Sequence, residues 1–157
     1  MRAAYAMAFF CTFALALAVF PYLGAATFVI NEPVRVFGEY GKLQTLAISP
    51  DGKMIAFSSD YRDQKGDIVT YNLETNAKQT VTKTAYLESQ PVFSRDGKEI
   101  YYFINESGSG SIKRVDLLDG TVKQITDRRF WCEFPSLSPD GKTLAYYSKR
   151  ENRYNIY

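Results

Sequence analysis

The distribution of apolar and polar positions divides the chain in two. From Tyr5 to Phe20 every residue except Thr12 is apolar or weakly polar. Beyond residue 42 the apolar residues fall into short runs, rich in β-branched and aromatic side chains, each bounded by Gly, Pro, Asp or Asn. That pattern predicts β-strands. No stretch of the second region sustains a helical period, so an all-β fold is expected there.

The runs repeat. Ser49-Pro50-Asp51-Gly52-Lys53, Ser94-Arg95-Asp96-Gly97-Lys98 and Ser138-Pro139-Asp140-Gly141-Lys142 are copies of one motif, spaced 45 and 44 residues apart. The residues after each copy also align. Met54 to Ser58 matches Glu99 to Phe103 and Thr143 to Tyr147, and Asp67 to Leu73 matches Ser111 to Leu117. Each repeat predicts four strands. A brief apolar strand comes first (Leu46 to Ile48, Pro91 to Phe93, Pro135 to Leu137). A tight turn succeeds it, in which Asp51, Asp96 and Asp140 initiate the bend and Gly52, Gly97 and Gly141 accept positive φ. Four antiparallel strands per 40–45 residues is the period of a β-propeller blade. The expected organisation is a lead-in over 27–42, blade repeats over 43–87 and 88–131, and a partial repeat over 132–157. Because propellers close with four to eight blades, about two and a half repeats suggest an incomplete ring and a fragment of a larger protein.

These motifs resemble the repeat of TolB-like propellers. The resemblance rests on Val115-Asp116, Asp119-Gly120, Ile125-Thr126, Ser138 to Lys142 and Leu144-Ala145-Tyr146, and it covers residues 43–157. It implies a non-catalytic scaffold for protein–protein interaction. It further implies a periplasmic setting and a protein partner such as an envelope lipoprotein. The same repeat occurs in propellers attached to prolyl-oligopeptidase-type serine peptidases and in sensory ectodomains of membrane-anchored regulators. Those are the alternatives.

The apolar start adds a location. Arg2 and the amino terminus precede the run Tyr5 to Phe20, Pro21 breaks it, and Gly24-Ala25-Ala26 offers small residues. Residues 1–26 therefore read as a signal peptide cleaved after Ala26, with export to a periplasm. Membrane contact would come only through this segment if it were left uncleaved.

Charge and composition then remove chemistries. Residues 27–157 carry 18 Lys+Arg and 17 Asp+Glu, and no basic run points to nucleic acid. There is no histidine, which excludes Ser-His and Cys-His catalysis within this chain. Cys11 and Cys132 lie on opposite sides of the cleavage point, so no internal disulfide is expected. Neither a cofactor nor a metal is expected. Asp60, Asp63 and Asp67 lack the spacing of an EF-hand loop.

Topology places the remaining candidates. In a four-stranded meander, the first-to-second and third-to-fourth turns share one face. The second-to-third loops and the connections between blades share the other. The second face is expected to carry the longer, unlike loops Asp60 to Gly66, Glu106 to Gly110, Lys83 to Leu87 and Asp127 to Trp131, with Gly108-Ser109-Gly110 flexible. Binding residues gather on such loops. Tyr61, Arg62, Tyr86, Arg128, Arg129, Phe130 and Trp131 are the predicted partner-binding residues, since aromatics with Arg compose protein-binding hot spots. Packing between blades is the competing role for Phe130 and Trp131.

Overall fold

The computed structural model describes residues 43–60 and 65–157. The segment expected to be a signal peptide, its expected cleavage point at Ala26, the lead-in over 27–42, and Tyr61, Arg62 and Asp63 lie outside the described residues. The described strands form three antiparallel sheets and no helix. The first blade holds β1 (Leu43–Ile48), β2 (Met54–Ser59), β3 (Asp67–Asn72) and β4 (Lys78–Thr80). The second holds β5 (Leu87–Phe93), β6 (Glu99–Glu106), β7 (Ser109–Asp116) and β8 (Val122–Gln124). The third holds β9 (Trp131–Leu137), β10 (Leu144–Arg150) and β11 (Arg153–Ile156). Strands pair in chain order within each sheet, which is the meander of propeller blades.

The three Asp-Gly turns share one set of hydrogen bonds. Ser49 Oγ donates to Asp51 Oδ1 at 2.6 Å and accepts from Met54 N at 2.8 Å, while Lys53 N donates to the same carboxylate oxygen. Ser94, Asp96, Lys98 and Glu99 repeat it, as do Ser138, Asp140, Lys142 and Thr143. The hydroxyl contact, reinforced by the lysine amide, holds all three carboxyl groups below their ordinary pKa. Gly52, Gly97 and Gly141 sit at φ of 72°, 71° and 71°, where a side chain would be strained. The third-to-fourth turns are closed similarly. Asn72 Oδ1 accepts from Glu74 N and Thr75 N, and Asp116 Oδ1 from Leu118 N and Asp119 N.

The first strand of each blade is longer than its apolar core suggests. It runs six or seven residues and shifts register between Leu43 and Leu46, between Ser89 and Val92, and at the matching place in β9. Gln90 and Phe134 take positive φ at these bulges. A bulge turns one N–H out of the sheet, and here that group crosses to the neighbouring blade. Gln90 N donates to Thr45 Oγ1 at 2.8 Å, and Phe134 N donates to Gln90 Oε1 at 2.6 Å. The bulge residue of one blade thus anchors the backbone of the next.

Apolar side chains fill the space between the first two sheets. Ala56 and Ile68 of the first blade meet Phe93, Ile100, Tyr102, Ile104 and Val115 of the second, all buried. Each fully buried aliphatic or phenyl side chain of this kind contributes about 1.5–3 kcal/mol. Cys132 is buried as a free thiol, its Sγ 3.5 Å from Ser148 Oγ.

Candidate partner-docking face

The end of each sheet opposite the Asp-Gly turns is built from chain connections that grip one another. In the first blade Lys65 Nζ reaches the Ala85 carbonyl at 2.7 Å, and Glu88 N donates to the Gly66 carbonyl. Between the second and third blades Ser109 Oγ donates to the Arg128 carbonyl at 2.8 Å. Thr82 and Thr126, buried just beyond β4 and β8, accept from the amides of Ile68 and Ile112 at 2.9 Å each. They tie the start of each connection to its sheet.

The segment Glu106 to Gly110 differs from the expected long, flexible loop. Glu106 pairs with Ser109 across a two-residue turn, Ser107-Gly108, with φ of 55° and 89°. Such turns match the natural strand twist and close a hairpin tightly. Ser109 and Gly110 belong to β7. Gly110 has a packing reason as well, because a Cβ there would lie 2.7 Å from Trp131 Cδ2 and 2.9 Å from Phe103 Cε2.

Trp131 packs closely on that glycine, its ring centroid 5.5 Å from that of Phe103. It joins the second blade to the third. Phe130 is half-buried, with the Arg150 guanidinium carbon 4.6 Å and the Arg129 carbon 5.7 Å from its ring centroid. Arg128 is exposed and reaches Glu106 Oε2 at 3.1 Å, the same carboxylate that holds Lys113 at 2.8 Å. Arg129 is exposed and its Nε donates to Asp127 Oδ2 at 2.8 Å. That contact drives the Asp127 carboxyl down to about 2. Tyr86 is exposed on the first connection, its amide donating to Thr84 Oγ1. The structure therefore brings Arg128, Arg129, Phe130 and Trp131 together at the junction of the second and third blades and sets Tyr86 on the preceding connection.

Two groups escape a reading of the sequence. Arg150 is clasped between Phe130 and Tyr157, 3.8 Å from the latter's ring centroid. It stands on β10 at the same end as the predicted residues. The run Lys149-Arg150-Glu151-Asn152-Arg153 is readable as the third blade's second-to-third turn once the repeats are aligned. Glu88 is the other. It is fully buried between the first two blades, accepts from Thr84 Oγ1 at 3.1 Å, and has its carboxyl pushed up to about 7 by burial. The charge of Asp67 adds to that rise, while Thr82, Thr84 and Lys113 oppose it.

Comparisons with known proteins are consistent with this architecture. The family model described as the TolB beta propeller domain matches residues 34–157. The Tol-Pal system protein TolB of Francisella tularensis is 31% identical over 123 residues, 75% of this chain and 23% of that protein. Dipeptidyl-peptidase 5 of Porphyromonas gingivalis is 30% identical over 80 residues, 48% of this chain and 12% of that protein. Among solved structures, TolB from Acinetobacter baumannii superposes with a TM-score of 0.63 at 27% identity, covering 74% of this chain and 29% of that one. The chain spans between 12% and 34% of the length of the first four curated relatives it matches.

Proposed function

The chain belongs to the TolB β-propeller domain family, and from that premise we propose that it is an exported, non-catalytic scaffold whose loop face docks a protein partner in the cell envelope. The observation that carries this reading is the contrast between the two ends of the blades. Every carboxylate of the Asp-Gly turns is engaged in closing its own hairpin. At the other end Arg128, Arg129, Phe130 and Arg150 converge from two blades on one surface. Arginine beside aromatic rings on a rigid support is suited to recognising a protein, and it supplies no nucleophile with a base. The apolar segment 1–26 supports export to a periplasm, and similarity to a Tol-Pal system protein supports an envelope partner, a lipoprotein being the first to test. The test is partner capture in the native host with Arg128→Glu/Arg129→Glu. Loss of capture at unchanged melting temperature supports the proposal; unchanged capture removes this face from it.

A second reading comes from the similarity to Dipeptidyl-peptidase 5. The repeats would then be the propeller of a serine peptidase, and the same face would meet a hydrolase domain. Finding a Gly-x-Ser-x-Gly segment in the same gene would favour it over the scaffold.

A further inference from the structure

The loop ends of the second and third blades close the same two-residue turn and differ in charge. At the second blade, the connection leading into it (residues 83–87) and its two-residue turn (residues 105–109) carry Lys83 and Glu106, which cancel. At the third, the equivalent connection (residues 127–131) and turn (residues 149–153) carry Arg128, Arg129, Lys149, Arg150 and Arg153 against Asp127 and Glu151, a net charge of +3. The turns themselves match. Ser107-Gly108 and Glu151-Asn152 both close two-residue hairpins with positive φ. The fold has no need of the added cations, because the second blade closes the same turn without them.

Four of these cations, Arg128, Arg129, Lys149 and Arg150, are also held by neighbouring side chains. The Arg150 guanidinium lies against the rings of Phe130 and Tyr157, and its Nε is buried there without a hydrogen-bond partner among the described residues, so Arg150 anchors the rim from beneath. Lys149 stands over Tyr154 at 5.3 Å, and Arg153 and Tyr154 are exposed on β11. Exposed lysine and arginine heads beside these rings suit carboxylates, which take charge-assisted hydrogen bonds from an ammonium and two parallel ones from a guanidinium. We propose that the loop end of the third blade docks an acidic segment of a protein partner, with the exposed Lys149 and Arg153 receiving its carboxylates beside Arg129. The proposal rests on the loop face being the docking face. It adds the partner's charge and the residues that read it. Complementary charge at such a rim raises the association rate and selects partners, and salt weakens it.

The test uses the full chain and a fluorescein-labelled peptide of five Glu-Gly repeats, with five Lys-Gly repeats and phosphatidylglycerol-containing vesicles alongside. The acidic peptide is expected to bind. Lys149→Glu/Arg153→Glu should weaken it by about tenfold or more and confer binding of the lysine peptide. Lys142→Glu, at the opposite end of the same blade, should change it less than twofold. No binding of the acidic peptide, an equal loss in Lys142→Glu, or tighter binding to the vesicles with the same variant sensitivity would each overturn the proposal. If the peptide fails while partner capture in the host still depends on Arg128 and Arg129, the acidic chemistry is wrong and the docking face stands. If both fail, the docking face falls too.

Discussion

The two ends of the blades come from the same strands and obey different rules. At the Asp-Gly end, three turns separated by 45 and 44 residues repeat one hydrogen-bond pattern to within 0.2 Å. At the loop end, the first blade has a seven-residue connection between Ser59 and Asp67, whereas the second and third have two-residue turns. Repetition at one end means that the chain there solves a folding problem. Divergence at the other means that residues are free to differ, and there Arg and aromatic side chains have collected.

The contrast can be broken most severely where the loop end is also structural. Gly110→Val puts methyl groups where the Trp131 ring lies, and overpacking of this kind costs about 1–3 kcal/mol. Thermal melting should show a loss several times that of Arg129→Glu at the exposed rim. An intact melting temperature would mean that Trp131 does not join the blades.

Glu88 offers a comparable effect that depends on pH. Its folded-state pKa near 7 lies above the ordinary 4.5, so the native state binds this proton more tightly than the unfolded chain does. Its contribution is present in full below about 4.5 and is lost as pH rises through about 7, with an upper magnitude of about 3 kcal/mol. Denaturant titrations should show Glu88→Gln matching the parent near pH 4.5 and exceeding it at pH 8. Parallel stability–pH curves for the two proteins would contradict the buried-carboxyl account.

Smaller effects test the uniform end. Gly52→Ala meets no atom within 4 Å, so its penalty is the left-handed backbone alone, about 1–2 kcal/mol. Gly141→Ala carries that penalty and also crowds Arg95 Cβ at 3.1 Å, so it should melt lower than Gly52→Ala. Equal losses would show that the Arg95 stem yields freely. The smallest effect on stability belongs to Arg128→Glu/Arg129→Glu, whose side chains are exposed: a shift in melting temperature close to zero with a large loss of partner capture.

Much of this division is legible in the sequence, and the exceptions have physical causes. The Asp-Gly turns are readable because one backbone conformation demands the same few residue types each time. The lengths of the first strands are not. A bulge at Gln90 and Phe134 interrupts the alternation that marks a strand, and its N–H is satisfied from another blade 44 or 45 residues away. Gly108-Ser109-Gly110 has the composition of a loose loop. Its glycines serve a tight turn and the close approach of Trp131, and neither purpose is visible without the partner ring. Arg128, Arg129, Phe130 and Trp131 are placed on one face by topology alone. Aligning the repeats puts Arg150 beside the third blade's turn on that face, but its contact with Phe130 and Tyr157 is not legible because it joins residues from three separate segments.

The central claim is that the loop end meets the partner and the Asp-Gly end only folds. A photo-crosslinking amino acid placed in turn at positions 129 and 153, and at positions 97 and 142, tests it in the native host. The account predicts one common crosslinked protein from 129 and 153, abolished by Arg128→Glu, and none from 97 or 142. Crosslinks from the Asp-Gly end to that same protein, with none from the loop end, would contradict it.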